Sequence, residues 1–561
     1  RNPNPRDGEC CFNYAWALEN DGQEEEAIRF YRKAAWNYGY KGAGLKQAAK
    51  LYVRKGCFED ALSCIREALT VNGESPELSF LKAFILRKSG RSKEAGKVVR
   101  DMLAVDPLGY GLLGESWFLQ DEKEALDRLK NVLRERKTAW RVLMAEYLEL
   151  GAWQEVLKLG RIAPADPMNC YYRAYAAAGL GKEAKAADFL TQAGEMSPDY
   201  CFPYTDMDRR VLQYAFAQRK DGGKSAYYLG CLFYGRDNRE EGVKCWEVSV
   251  TREDGLHQAH RCMALALLEV FEDKVGARRE MEKAFAMHQD GRYLLELMEI
   301  RRESGVPVEK LLELLEAYPQ LVYKREDLYH QQLVLYNEAG MPEKAAAYLK
   351  NRTFNPYEGG EGILVKAHIL AYIQLGRRAF REKDYGGAIA FYKTALEYPE
   401  NYQEGRGVTA REAAVYFHMA KALEAAGEER EAFAWYEKAA AHQTGRLDES
   451  DFYTACALRR LGKEREAAAL YLSMLDGADA ILKEEDRLPY FGGFVSNLPG
   501  EHSIKKANHR KAHPARFYAL TGLGRKQEAR KEKELAAVWG AEMAWLRLIE
   551  EDGGKMGYEG I

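Results

Sequence analysis

Gly22-Gln23-Glu24-Glu25-Glu26-Ala27, Gly56-Cys57-Phe58-Glu59-Asp60-Ala61 and Gly90-Arg91-Ser92-Lys93-Glu94-Ala95 share one pattern, a glycine with an alanine five positions on, and they recur at an interval of 34 residues. A fixed period of this length marks an array of helix-turn-helix units. Around the first of them, Tyr14, Ala15 and Leu18 on one side and Ala27, Ile28, Tyr31 and Ala34 on the other fall at helical spacing. Asn20-Asp21-Gly22 lies between, where glycine can enter a backbone conformation that a side chain opposes. The pattern predicts two amphipathic helices folded into a hairpin. Alanine stands where they cross, because so small a side chain lets the backbones approach, and Tyr31 fills the space beside it. Ala61 and Ala68 repeat the arrangement.

The same step returns at Gly179/Ala184, Gly340/Ala345, Gly427/Ala432, Gly462/Ala467 and Gly524/Ala529. Ala388/Ala395 and Gly242/Trp246 preserve the second helix without the turn glycine. Leu229-Gly230 with Phe233 and Trp246, and Leu375-Gly376 with Tyr392 and Ala395, resemble the small-and-aromatic signature of the tetratricopeptide repeat family, and Pro107 falls where that family often ends a unit. The resemblance implies an all-α fold, a tetratricopeptide-like α-solenoid in which helix-turn-helix repeats wind into a right-handed superhelix.

Composition suits a helical array. With 83 basic against 86 acidic residues the net charge is −3, too small to attract nucleic acid or an anionic membrane at long range. Apolar residues make up 47% of the chain, enough for a continuous core, and the 35 tyrosines suit repeats that pack aromatic rings against alanine. The ten cysteines contain no CxxC pair and read as buried thiols of a reducing compartment, which places the chain in the cytoplasm. The longest apolar stretch, Cys262 to Phe271, is interrupted by Glu269 and too short to span a bilayer. The opening at Arg1 without a methionine reads as a fragment or processed product.

Regular units occupy residues 1–106 and degenerate helical pairs 107–350, where Glu124-Ala125 and Glu155-Val156 mark second helices. Ser197-Pro198 to Phe202-Pro203 forces a non-helical connection within them. A glycine-rich loop spans 351–362, further units 363–475, an irregular segment 476–514, and capping helices 515–561. The run Asn355-Pro356-Tyr357-Glu358-Gly359-Gly360-Glu361-Gly362, the Tyr398-Pro399-Glu400-Asn401 segment with Glu404-Gly405, and Lys33-Ala34-Ala35-Trp36 resemble the repeat half of a bacterial family of large proteins. In that family a β-rich domain of unknown function lies N-terminal to the array. The resemblance implies that such a domain of the same polypeptide is this chain's partner.

Few patterns suggest chemistry. Asp221-Gly222-Gly223-Lys224-Ser225 has the tail of a phosphate-binding loop, but Gln218 stands where a glycine is required and no strand precedes it, so an inter-repeat loop is the better reading. His257 and His260 with Cys262 lack a further ligand, and no metal or cofactor is expected. The basic run Lys505 to Lys511 reads as a solvated loop. Nothing resembles a Ser/His/Asp or Cys/His nucleophile system. The candidate binding loop is Asn355, Tyr357, Glu358 and Glu361, where glycines can hold paired carboxylates beside a bound sugar, or else form a structural plug with Tyr357 packed between repeats. These readings combine into a non-catalytic scaffold whose groove of first helices binds a protein or peptide, with no nucleic-acid or membrane partner. The alternative is a glycan-binding or glycan-active accessory region using that loop and the groove tyrosines.

Overall fold

The computed structural model describes residues 7–120, 123–252, 255–357, 360–406, 411–442, 446–484 and 504–555. Among them lie 31 α-helices and no strand, and the chain divides into two compact units, residues 1–256 and 257–561. The first holds α1 (Gly8–Asn20), α2 (Glu24–Ala34), α3 (Tyr38–Arg54), α4 (Phe58–Ala68), α5 (Pro76–Lys88), α6 (Ser92–Val105), α7 (Tyr110–Gln120), α8 (Lys123–Leu133), α9 (Lys137–Glu149), α10 (Trp153–Ile162), α11 (Pro167–Gly179), α12 (Glu183–Glu195), α13 (Asp206–Gln218), α14 (Lys224–Gly235) and α15 (Arg239–Arg252). The second holds α16 (His257–Glu269), α17 (Lys274–Met287), α18 (Gly291–Glu303), α19 (Val308–Glu316), α20 (Pro319–Lys324), α21 (Glu326–Glu338), α22 (Pro342–Lys350), α23 (Ile363–Arg381), α24 (Tyr385–Thr394), α25 (Ala413–Ala425), α26 (Glu429–Ala441), α27 (Glu449–Arg460), α28 (Glu464–Lys483), α29 (Ile504–Gly522), α30 (Lys526–Val538) and α31 (Met543–Lys555). Each unit is a tetratricopeptide-like α-solenoid of stacked helical pairs.

One turn geometry builds the pairs. Gly22, Gly56 and Gly90 have φ of 78°, 74° and 79°, and the residue after each donates its N–H to the carbonyl five positions back, Gln23 to Leu18, Cys57 to Tyr52 and Arg91 to Leu86. This closes the first helix through a left-handed residue, a conformation glycine enters without steric cost. Ala27, Ala61 and Ala95 are fully buried at the crossing, as are Ala345, Ala388 and Ala467, while Ala432 and Ala529 are nearly so. The turn outlasts its glycine. Asp237, Glu272 and Lys383 occupy the same left-handed position at φ of 63°, 53° and 64°, each followed five residues on by a small residue, Gly242, Ala277 and Ala388.

Two expectations are corrected. The Gly179/Ala184 register is wrong by two residues: Gly181 is the left-handed turn residue at φ 71°, Ala186 is buried, and Ala184 is exposed. Gly179 instead ends α11 against the Trp153 ring, where a Cβ would come within 2.7 Å. The stretch 476–514 is helical at both described ends, closing α28 and opening α29, so the basic residues Lys505 to Lys511 lie on a helix. Of the cysteines, Cys64, Cys170, Cys201, Cys245 and Cys456 are buried, but Cys10 is exposed. Among the described residues no helix is long and apolar enough to cross a membrane.

Candidate functional site

The glycine-rich loop is fastened at its described residues. Phe354 is 1% exposed, donates its N–H to the Asn401 carbonyl at 2.8 Å, and meets the rings of Tyr329 and Tyr402 edge-on. Asn355 donates from backbone and side chain to Glu326 Oε1 at 3.3 and 3.0 Å. Tyr357 stacks on His330 at 5.4 Å and its hydroxyl lies 3.3 Å from His330 Nδ1; burial pushes that imidazole down to about 4. Glu358 lies outside the described residues. Glu361 is exposed on the wall of a cavity of about 530 Å³, which it shares with Glu404, Lys366, Arg411 and Glu542.

That cavity has a mixed lining, to which Val334, Ile363 and Leu370 contribute aliphatic surface. Lys366 pairs with Glu542 at 2.8 Å, and Arg411 with Asp448 at 3.1 Å and Glu449 at 3.4 Å. Burial opposes the charge on Lys366, but Glu542 and Glu449 outweigh it and raise its pKa; burial opposes the charge on Glu542 too, and Lys366 outweighs it. No aromatic ring is among the described residues that line it, and Tyr357 is turned onto His330. A sugar site of the expected kind sets an aromatic face beside its carboxylates, and none stands beside Glu361 among the described residues of this cavity.

Along the first helices of the second unit a groove exists, and it is filled. Helix α31 packs beside α29 and touches α21, with Trp545, Leu548 and Ile549 at most 9% exposed. At its start, Glu338 of α21 accepts from the free N–H groups of Met543 and Ala544 at 3.1 and 3.0 Å, completing the helix end as a capping carboxylate does. At its other end Asp552, 4% exposed, is held by Arg377 of α23, by the Tyr453 hydroxyl of α27 at 2.9 Å, and by Lys421 of α25 at 3.9 Å. Glu551 adds ion pairs to Arg377 at 2.9 Å and to Arg381. Sequence reasoning missed this seat, because nothing near Asp552 in the chain says which distant arginine it meets.

In the first unit Arg54 of α3 bonds Glu19 of α1 at 2.9 Å, Lys50 of α3 lies 3.6 Å from Glu146 of α9, and Arg141 of α9 lies 3.3 Å from Asp208 of α13. Beside them runs the non-helical segment 199–204, a turn at Asp199 and Tyr200 followed by irregular chain. Its carbonyls are clamped, Phe202 by Arg141 at 2.9 Å and Tyr204 by Arg236 at 2.8 Å, and the Tyr204 N–H donates to Asp208 at 2.9 Å. Cys201 points inward at 6% exposure while Tyr200, Phe202 and Tyr204 stand 87%, 72% and 53% exposed. Burial alternates from Cys201 to Tyr204 and turns Phe202 and Tyr204 outward, while Tyr200 precedes them in a left-handed turn at φ 57°.

The remaining candidates resolve structurally. Asp221 accepts from the Tyr171 hydroxyl at 2.8 Å and the Ser225 N–H at 2.7 Å, and Lys224 reaches the carbonyls of Gly194 and Met196, so the Asp221–Ser225 stretch fastens α12 to α14 as an inter-repeat loop. His257 lies 2.9 Å from the Tyr293 hydroxyl and His260 2.7 Å from Glu280. Among the described residues no group of three or more His, Cys, Asp or Glu is placed to hold a metal ion.

A tetratricopeptide repeat model matches residues 8–35, which is the first helical pair. Among solved structures the chain is similar to yeast Tom70, 12% identical over 94% of this chain and 98% of that one, with a TM-score of 0.25. It is also similar to the structure of Naa15/Naa10 bound to HypK-THB, 14% identical over 98% and 79%, TM-score 0.21, and to the APC/C hetero-tetramer Cut9-Hcn1, 14% identical over 84% and 93%, TM-score 0.25. The fold assignment stands on the helices and turns of this chain.

Proposed function

We propose that this chain is a non-catalytic scaffold that binds a protein segment along the first helices of its first unit. The observation carrying this reading is the clamped segment 199–204, which holds Tyr200, Phe202 and Tyr204 toward solvent while its own backbone is bonded to Arg141, Arg236 and Asp208. Large exposed rings on a backbone clamped in this way are uncommon on a surface that meets only water, and aromatic residues concentrate at the centres of interfaces. The ion pairs around them leave little unbalanced charge, so the segment favoured here is extended and apolar. A β-rich domain of the same polypeptide is one partner able to present such a segment, and a cytoplasmic setting fits the buried thiols.

The test is to select peptides from a displayed library on the full chain and measure the best of them against Tyr200→Ala/Phe202→Ala. Affinity at least tenfold weaker in the double variant supports the reading. Equal affinity, or selected peptides that map elsewhere by chemical-shift or exchange footprint, overturns it.

A further inference from the structure

Helix α31 is a short amphipathic helix lying where a solenoid of this kind receives ligands. Its buried anchors are Trp545, Leu548, Ile549 and Asp552, the i, i+3, i+4, i+7 series of a helix laid in a groove. Gly553 follows them, so close to α29 that a Cβ there would meet Thr521 Cγ2 at 2.4 Å. The groove supplies a complementary surface: Arg377 and Arg381 from α23, Lys421 from α25 and Tyr453 from α27 surround the acidic pair, and Glu338 from α21 caps the start.

Two features make this occupant replaceable. One of its anchors, Asp552, is ionic, and a buried ion pair holds less firmly than apolar contact of the same size, because the desolvation of each charge offsets the attraction. Two polar atoms of the seat, Arg377 Nε and His418 Nε2, and one of the resident helix, Trp545 Nε1, are also buried without a hydrogen-bond partner among the described residues. His418 Nε2 stands 3.5 Å from Asp552 without the geometry of a bond. Each such atom loses its bonds to water with no bond in return, so α31 fills the groove without satisfying it.

We infer that the face formed by α21, α23, α25 and α27 is a second docking surface, for a partner's amphipathic helix carrying an acidic residue one helical turn beyond its apolar anchors and a small residue after it, and that α31 is the built-in competitor for this seat. This is independent of the reading given to the first unit, and either can fail alone. Competition within one chain is strong, since a tethered helix acts at millimolar effective concentration. A partner helix therefore binds well only when it supplies what α31 lacks or when α31 is loosened.

The experiment uses the full chain and a fluorescent peptide with the sequence of residues 541–555. A second peptide carries Glu551→Lys and Asp552→Lys. The chain variant Asp552→Ala, which unlatches the resident helix, is expected to bind the first peptide at least tenfold more tightly than the unaltered chain and at least tenfold more tightly than it binds the second. Adding Arg381→Glu, at a half-exposed position, is expected to remove that gain, and amide exchange within 543–553 is expected to speed up in Asp552→Ala. Should Asp552→Ala fail to fold, Glu551→Ala serves in its place. Equal affinity for both peptides, indifference to Arg381→Glu, or unchanged exchange in α31 overturns the inference.

Discussion

Gly376 and Gly230 show why a small residue stands in the middle of a helix. A Cβ on Gly376 would come within 2.3 Å of the Tyr392 ring, and one on Gly230 within 2.3 Å of Trp246. Exchanging glycine for alanine inside a helix ordinarily stabilises it by roughly 1 kcal/mol. At these two positions the aromatic partner is itself buried, Tyr392 at 1% exposure and Trp246 at 3%, so it has nowhere to go. Gly376→Ala is therefore expected to destabilise by about 1–3 kcal/mol, the usual range for overpacking. Gly96→Ala, whose nearest obstacle is the flexible end of Arg100 at 3.3 Å, is expected to be neutral or stabilising. Urea unfolding of the two variants side by side checks this, and a loss of stability at Gly96 equal to that at Gly376 would mean that the aromatic contact is not the cause. The same residue types were legible beforehand, Leu375-Gly376 with Tyr392 and Leu229-Gly230 with Trp246. Their meaning was legible because each pair belongs to one hairpin, close in sequence as in space.

At the scale of the element, the turn and its small residue five positions on make the unit. Ala61→Leu and Ala388→Leu, at fully buried crossings, are expected to cost about 1–3 kcal/mol with the damage confined to adjoining pairs, whereas Ala184→Leu at an exposed position is expected to change nothing. Equal thermal shifts for Ala184 and Ala61 would return the register to Gly179. Lys383 holds the turn conformation at φ 64° in place of glycine, so Lys383→Gly removes a steric penalty of about 1 kcal/mol while giving the unfolded chain more freedom. A net gain of up to about 1 kcal/mol is expected, read as a rise in the denaturation midpoint. Substitutions of this kind explain why sequence reading found the second helix at Ala388 and missed the turn before it. A left-handed turn is a backbone state, and Asp237, Glu272 and Lys383 enter it because the hairpin on either side compels them. The register error at Gly179 has the same root, since two glycines two residues apart offer the turn equally and only the Trp153 ring decides between them.

At the scale of the whole molecule, all ten histidines fall in the second unit, residues 257–561. Burial pushes His330 and His368 down to about 4 and His418 to about 3, so all three stay neutral in the folded chain where the unfolded chain protonates them near 6.5. The unfolded state then binds more protons between pH 6.5 and 4, and the stability these groups contribute is complete above 6.5 and lost as pH falls toward 4. Amide exchange during acidification through that window is expected to show the second unit loosening before the first, and His368→Gln is expected to flatten the change; simultaneous loosening of both would refute it. What the sequence by itself determined was local. The 34-residue period, the hairpins and the buried alanines follow from patterns that repeat within one turn or one pair, because helical periodicity and turn geometry are set by neighbours in the chain. What only the tertiary structure decided was where the curl of each stack brings distant residues together: Asp552 onto Arg377, Glu338 onto the start of α31, and Arg141 onto the carbonyl of Phe202. Those contacts depend on small rotations between successive pairs that accumulate along the array, and no residue type or spacing records their sum.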